Sequence, residues 1–125
     1  MLFRSTFHGY VADRAEIYGS LDVVVVPTKD DEALGLVAAE PGVFGVPVVA
    51  SDSGGLKEVI VDGTTGLLFR RGDVDDLCGK LGRVLTEPGL AEEIGGAARD
   101  HVSRTFGAKP CGDAFEAVLE GIQAR

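Results

Sequence analysis

Four valines in a row, Val23-Val24-Val25-Val26, run directly into Pro27. An unbroken β-branched run of that length suits a strand buried on both faces, as in a parallel sheet, and proline stops it by removing a ladder donor. A second run, Val46-Pro47-Val48-Val49-Ala50, opens with a proline of the kind tolerated at a strand start. A third, Gly66-Leu67-Leu68-Phe69, follows the turn Asp62-Gly63-Thr64-Thr65. Residues 35–44 and 56–60 lie between these runs and have helical character. Strands separated by helices require crossover connections, which are right-handed. The pattern predicts an α/β fold, a parallel sheet with flanking helices. Upstream, Thr6-Phe7-His8 reads as a weak strand ending at Gly9, and residues 13–20 as a short helix with Ala15, Ile17 and Tyr18 as its apolar contacts.

Beyond residue 70 the periodicity changes to that of helices. Asp73 is a candidate N-cap with Asp76 three residues on. Val74, Leu77, Cys78, Leu81, Val84 and Leu85 form one stripe. Pro88 suits a first helical position. Leu90, Ile94, Ala97, Ala98 and Val102 form the next stripe, and Ala114, Phe115, Val118, Leu119 and Ile122 the last. The Leu77/Leu81 and Phe115/Leu119 stripes are expected to face the sheet. At 125 residues the chain is one domain, βα units over 1–70 and helices over 71–125.

Charge narrows the partners. Twelve basic against twenty acidic residues leave a net charge of −8, which excludes an ordinary nucleic-acid binder and argues against an anionic membrane surface. No apolar run reaches the ~20 residues of a membrane span. Residues 1–5 lack the basic-then-apolar layout of a signal peptide, so the expected compartment is the cytoplasm. Cys78 and Cys111 are far apart and read as small apolar residues kept reduced. His8 and His101 are isolated, and no metal-ligand spacing is present.

The segment 27–55 carries the chemistry. It runs strand, loop, two glutamates eight apart (Glu32 and Glu40), strand, then the turn Ser51-Asp52-Ser53-Gly54-Gly55. Both loops belong to the C-terminal edge of the sheet, where open α/β folds bind ligands. Ala33-Leu34-Gly35-Leu36 opens a helix whose free N–H groups suit a phosphate or a sugar hydroxyl. Gly35 permits close backbone approach, and Glu40 is placed to accept hydrogen bonds from a diol. The spacing alone fits a solvated loop charge, a helix-surface charge and ordinary turns better than a binding site.

These blocks together resemble the family 4 retaining glycosyltransferases, specifically the C-terminal, donor-binding domain of their GT-B fold. The matching blocks are strand–Pro–Thr, Glu32-x7-Glu40, Gly45-Val46-Pro47-Val48-Val49-Ala50-Ser51, Gly54-Gly55-x-x-Glu58-Val59-Ile60 and Asp62-Gly63-x-x-Gly66-Leu67-Leu68. Gly9-Tyr10-Val11, Tyr18 and Asp22 match the segment upstream, so the likeness covers residues 6–105. The resemblance implies a partial Rossmann-like sheet and a nucleoside-diphosphate sugar as donor substrate, with no cofactor and no metal. It implies that Glu32 lies beside the transferred sugar in a positioning and electrostatic role. Leu34, Gly35 and Leu36 would meet sugar hydroxyls and diphosphate through backbone amides, Glu40 the ribose, Gly54 and Gly55 the donor, and Val11 the nucleobase.

The sequence departs from the family in three places. The family's first two strands, with an Arg and Lys pair that grips the diphosphate, have no counterpart here, nor has the N-terminal acceptor domain. Lys29 and Lys57 are nearby basics that do not match that pair. A strand near residue 7 would then lack its neighbour, and the run 23–26 would present an apolar edge. Pro41-Gly42 follows Glu40, and proline inside a helix costs ~3 kcal/mol, so a kink or early helix end near Glu40 is expected. Leu34 stands where the family has an aromatic. The chain therefore reads as the donor-binding part of a glycosyltransferase, inactive alone. The alternatives are a non-catalytic nucleotide- or sugar-binding module and one subunit of a split enzyme. In the family the last helix crosses back to the other domain, so part of the apolar face ending near Ile122 is expected to be exposed and open to a partner.

Overall fold

A computed structural model describes residues 4–31 and 33–124; Glu32 lies outside the described residues. The elements in order are α1 (Arg14–Tyr18), β1 (Val24–Val26), α2 (Leu36–Val43), β2 (Val48–Ser51), α3 (Leu56–Val59), β3 (Leu67–Phe69), α4 (Val74–Thr86), α5 (Leu90–Phe106) and α6 (Ala108–Gln123). The three strands form one parallel sheet in the order β1-β2-β3, with Val25 opposite Val49 and Ala50 opposite Leu68. The expected α/β architecture is present.

The central strand shows how alternation builds two cores. Every residue of β2 is buried. Val48 and Ala50 face a cluster with Ala38 and Ala39 of α2, Leu56 and Val59 of α3, and Val102. Val49 points the other way, to Leu67, Phe69, Val84 and Ile94, with Leu77 and Leu81 of α4 packed alongside. Period-two side chains on a strand with two neighbours need apolar residues at every position, which accounts for the unbroken run. β1 is an edge strand and correspondingly only half-buried, apart from Val26. The helix α5 contributes Ile94 to one core and Val102 to the other, so its ~25 Å length ties both layers together.

Asp73 caps α4 as the sequence predicts, accepting from the Asp76 N–H at 2.9 Å, and Asp13 caps α1 by accepting from Ala15 N–H at 2.9 Å. Six expectations are corrected. Residues 6–8 are not a strand, and Phe7 is 97% exposed. An isolated strand leaves its own donors and acceptors unpaired, and no strand among the described residues lies beside it. Ala15 is exposed, so α1 docks through Tyr18 with Ile17 half-buried. Pro88 lies two residues ahead of α5, whose N-cap is Gly89 in the left-handed region (φ 80°). The α4 stripe is narrower than expected, because Val74, Cys78 and Leu85 are exposed. Both cysteines are exposed free thiols rather than apolar filler. The α6 stripe does not face the sheet: Phe115, Val118, Leu119 and Ile122 are all exposed, and the main packing partner of α6 is α5. The exposure expected around Ile122 thus extends along the whole apolar face.

The early helix end expected near Glu40 is also corrected at Pro41. It lies inside α2, fully buried, and the helix runs through it to Val43. Only Val37 loses its helical acceptor role, and Val37 is on the half-exposed side, where water can replace the missing donor. Gly42 then lets α5 approach: a Cβ there would meet Val102 Cγ2 at 3.0 Å. Among the described residues no helix is long and apolar enough to cross a membrane.

Candidate functional site

The C-terminal edge of the sheet is built by two loops packed backbone to backbone. Gly35 caps α2 with φ 72°, a left-handed conformation that favours glycine, and Gly55 caps α3 with an ordinary φ of −63°. Neither glycine offers a side-chain cap; the Ala38 N–H donates to the Gly35 carbonyl at 2.8 Å, and the N–H groups of Leu36 and Val37 are left to whatever lies beyond the edge. A Cβ on Gly35 would meet Leu56 Cδ2 at 3.0 Å and Gly55 O at 3.4 Å. A Cβ on Gly55 would meet Ala33 O at 2.5 Å and Leu34 Cα at 2.7 Å. Gly35 and Gly55, two of the glycines singled out from the sequence, are therefore one contact. Gly54 is exposed at the tip of the second turn with φ 39°. Leu34 and Leu36 are about half exposed, so their backbones rather than their side chains belong to the packed layer.

Two buried serines pin the first loop to the second. The single Ser51 hydroxyl proton is shared between the carbonyls of Val26 (3.2 Å) and Thr28 (2.9 Å), and Ser53 Oγ donates to that of Asp30 (3.3 Å). Arg71, in the loop after β3, adds Nη2 to Asp31 Oδ1 at 2.6 Å and Nη1 to the Lys29 carbonyl at 3.4 Å. Lys57 pairs with Asp52 at 2.9 Å. The roles of Ser53 and Arg71 escaped the sequence reading. Ser53 stood in the quoted Ser-Asp-Ser-Gly-Gly turn, but Arg71 lies 40 positions from Asp31 and had no local signal.

Glu40 lies five residues beyond Gly35 on α2, ~7–8 Å along its axis. Its Oε2 accepts from the Tyr18 hydroxyl at 3.0 Å and lies 3.1 Å from Arg14 Nε. Arg14 Nη1 also donates to the Val11 carbonyl at 3.2 Å. The structure thus brings Val11 and Glu40 together through α1, a link that sequence spacing did not reveal. Val11 also lines a cavity of about 420 Å³ with His8, Gly9, Ile17 and Leu21. A larger open groove of about 610 Å³, between Tyr18, Phe44, Pro47 and Pro88, lies at the other, N-terminal end of the strands and shares nothing with the glycine turns. Among the described residues no group of three His, Cys, Asp or Glu side chains gathers to hold a metal ion.

Burial first, then the hydrogen bond to Glu40 and its negative charge, push the Tyr18 phenol above the usual 10.0, with Arg14 pulling the other way. The folded state holds this proton more tightly than the unfolded chain. Its stabilising contribution is therefore present below pH 10.0 and lost as pH rises through the higher folded value. In a Tyr10→Phe background, which leaves Tyr18 as the single tyrosine, phenolate absorbance should appear later than for a free tyrosine. Adding Glu40→Ala should move it earlier without restoring the free value, since burial remains. A titration at the free value in the Tyr10→Phe protein would contradict the observed contact.

Comparison with known proteins agrees with this architecture. The family model for glycosyl transferases group 1 matches residues 4–101. The D-inositol 3-phosphate glycosyltransferase of Kribbella flavida is 44% identical over 87 residues, covering 70% of this chain and 20% of that protein. The sulfoquinovosyl transferase SQD2 of Arabidopsis thaliana is 39% identical over 106 residues, covering 82% of this chain and 20% of that protein. Among solved structures, sucrose-phosphate synthase from Thermosynechococcus elongatus superposes with a TM-score of 0.79 at 32% identity, over 88% of this chain and 27% of the other. Anabaena HepE in complex with UDP and glucose gives 0.85 at 24% identity, over 93% and 32%, a likeness of fold. The chain spans about a fifth of the curated relatives it matches. The matched span, the parallel sheet and the paired glycine turns agree: the chain belongs to the group 1 glycosyltransferases.

Proposed function

We propose that this chain is the donor-binding part of a retaining glycosyltransferase, binding a nucleoside-diphosphate sugar in the cytoplasm and needing further residues, in the same or a second chain, to transfer the sugar. The observation that carries this reading is the contact between the Gly35 and Gly55 turns at the C-terminal edge, which leaves the N-terminus of α2 open to an anion. In this proposal the amides of Leu34, Gly35 and Leu36 meet the diphosphate and sugar, Gly54 and Gly55 border the donor, Glu40 accepts from the ribose diol, and Val11 flanks the base. Glu32 takes a positioning and electrostatic role beside the transferred sugar, on the strength of its motif. The βα units over 1–70 form the donor edge and the helices over 71–125 support it. The HepE structure, of like fold, holds UDP, which is in keeping with a nucleotide at this edge.

The dependence on further residues rests on charge. Arg71 and Lys57 each already pair with a carboxylate, which leaves Lys29 alone, among the described basic residues of these loops, to meet a leaving diphosphate. Calorimetric titration of the folded chain with UDP, GDP and ADP tests the reading. One of them should saturate a single site. Glu40→Ala should weaken it about tenfold or more, the scale of a lost charge-assisted hydrogen bond. A folded chain that binds none of the three overturns the reading for this chain.

A further inference from the structure

Glu40 is not presented symmetrically. Both of its protein contacts, Tyr18 Oη and Arg14 Nε, fall on Oε2, at 3.0 and 3.1 Å. Among the described residues no hydrogen bond is made to Oε1. The two contacts differ in kind. Tyr18 is buried and offers one directional donor, while Arg14 is about half exposed and reaches two places at once. Its guanidinium touches Glu40 through Nε and donates through Nη1 to the Val11 carbonyl at 3.2 Å. A guanidinium is a rigid fork, so the two contacts fix the distance between segment 9–11 and the middle of α2. No other side-chain contact described here joins those two places.

We propose that Arg14 is a nucleotide-positioning residue: by bridging the Val11 carbonyl and Glu40 Oε2 it turns Oε1 outward as the acceptor for a vicinal diol and sets the gap between base and ribose contacts. The inference rests on the reading of Glu40 as the ribose residue and adds a residue outside every block that carries the family likeness. Its chemistry is simple. A carboxylate oxygen has two lone-pair sites, so an Oε1 free of protein donors can accept from both hydroxyls of a ribose, whereas a 2′-deoxyribose offers one. A freely rotating Glu40 would exchange its two oxygens and lose that preorganisation.

The test compares binding of the ribonucleoside diphosphate that the chain prefers with that of its 2′-deoxy counterpart, by calorimetry. The wild-type chain should favour the ribonucleotide. Arg14→Gln, a change at a half-exposed position, should leave the fold intact by circular dichroism. It should weaken the ribonucleotide about five- to tenfold and move the ribo-to-deoxy ratio toward one. Arg14→Lys keeps the charge but not the fork, so it should recover affinity without recovering the ratio. If Arg14→Gln keeps the wild-type ratio while Glu40→Ala abolishes it, Arg14 has no positioning role and the proposal fails alone. Weakened binding at an unchanged ratio overturns it too, because a purely structural role would do the same. If Glu40→Ala leaves the ratio unchanged, or the wild-type chain binds no nucleotide, the ribose reading itself fails and Arg14 falls with it.

Discussion

Replacing Gly55 with alanine should displace the loop after β1 and weaken nucleotide binding by about tenfold or more, while lowering stability by about 1–3 kcal/mol. The cause is contact and not backbone strain. Gly55 has φ −63° and ψ −14°, a conformation alanine adopts freely. The added methyl would sit 2.5 Å from Ala33 O and 2.7 Å from Leu34 Cα. Both are backbone atoms, so no side chain can rotate away, and the loop itself must move. That loop carries Leu34 and Gly35 and leads into α2, so the displacement reaches the proposed diphosphate contacts directly. Urea unfolding and the same calorimetric titration check the two effects separately. Unchanged binding in a folded Gly55→Ala chain would mean that the packing of the two turns does not position the ligand.

Leu56→Ala should cost about 2–5 kcal/mol, the usual scale for emptying a fully buried leucine site. Leu56 has no exposed surface and lies in the core between α2, α3 and β2. Its Cδ2 is the atom closest to where a Gly35 Cβ would be, so the cavity would open directly beneath the α2 N-cap. Total stabilities of domains this size run to about 5–15 kcal/mol, so a loss at the upper end leaves a substantial unfolded fraction at body temperature. Leu36→Ala, at a position 56% exposed, should lower the unfolding free energy measured in urea by about 0.5 kcal/mol or less. Equal losses for the two variants would contradict the assignment of Leu56, and not Leu36, to the core.

Much of this was legible in the sequence because the signals were local. Three short apolar runs separated by helical segments describe a parallel sheet, and Asp73 with Asp76 describes a helix start; all are present. Residues 6–8 have strand composition but no strand beside them, and composition cannot supply a hydrogen-bond partner. Pro41 shows the converse. Its intrinsic penalty predicted a break, yet burial of the proline and the approach of α5 over Gly42 hold the helix together. The stripe on α6 was real as a pattern, but a pattern states only that a face is apolar, not what covers it.

Chain order and side-chain period alone set the glycine positions, the strands that alternate toward two cores, and the five-residue step from Gly35 to Glu40. The packed fold was needed to place Gly35 on Gly55, to bring Arg71 onto the loop after β1 from 40 positions away, and to set Arg14 and Tyr18 on one oxygen of Glu40. Each of these is a contact between segments distant in the chain. Such contacts arise because burying the two faces of β2 brings the ends of neighbouring strands together, and no local propensity encodes that meeting.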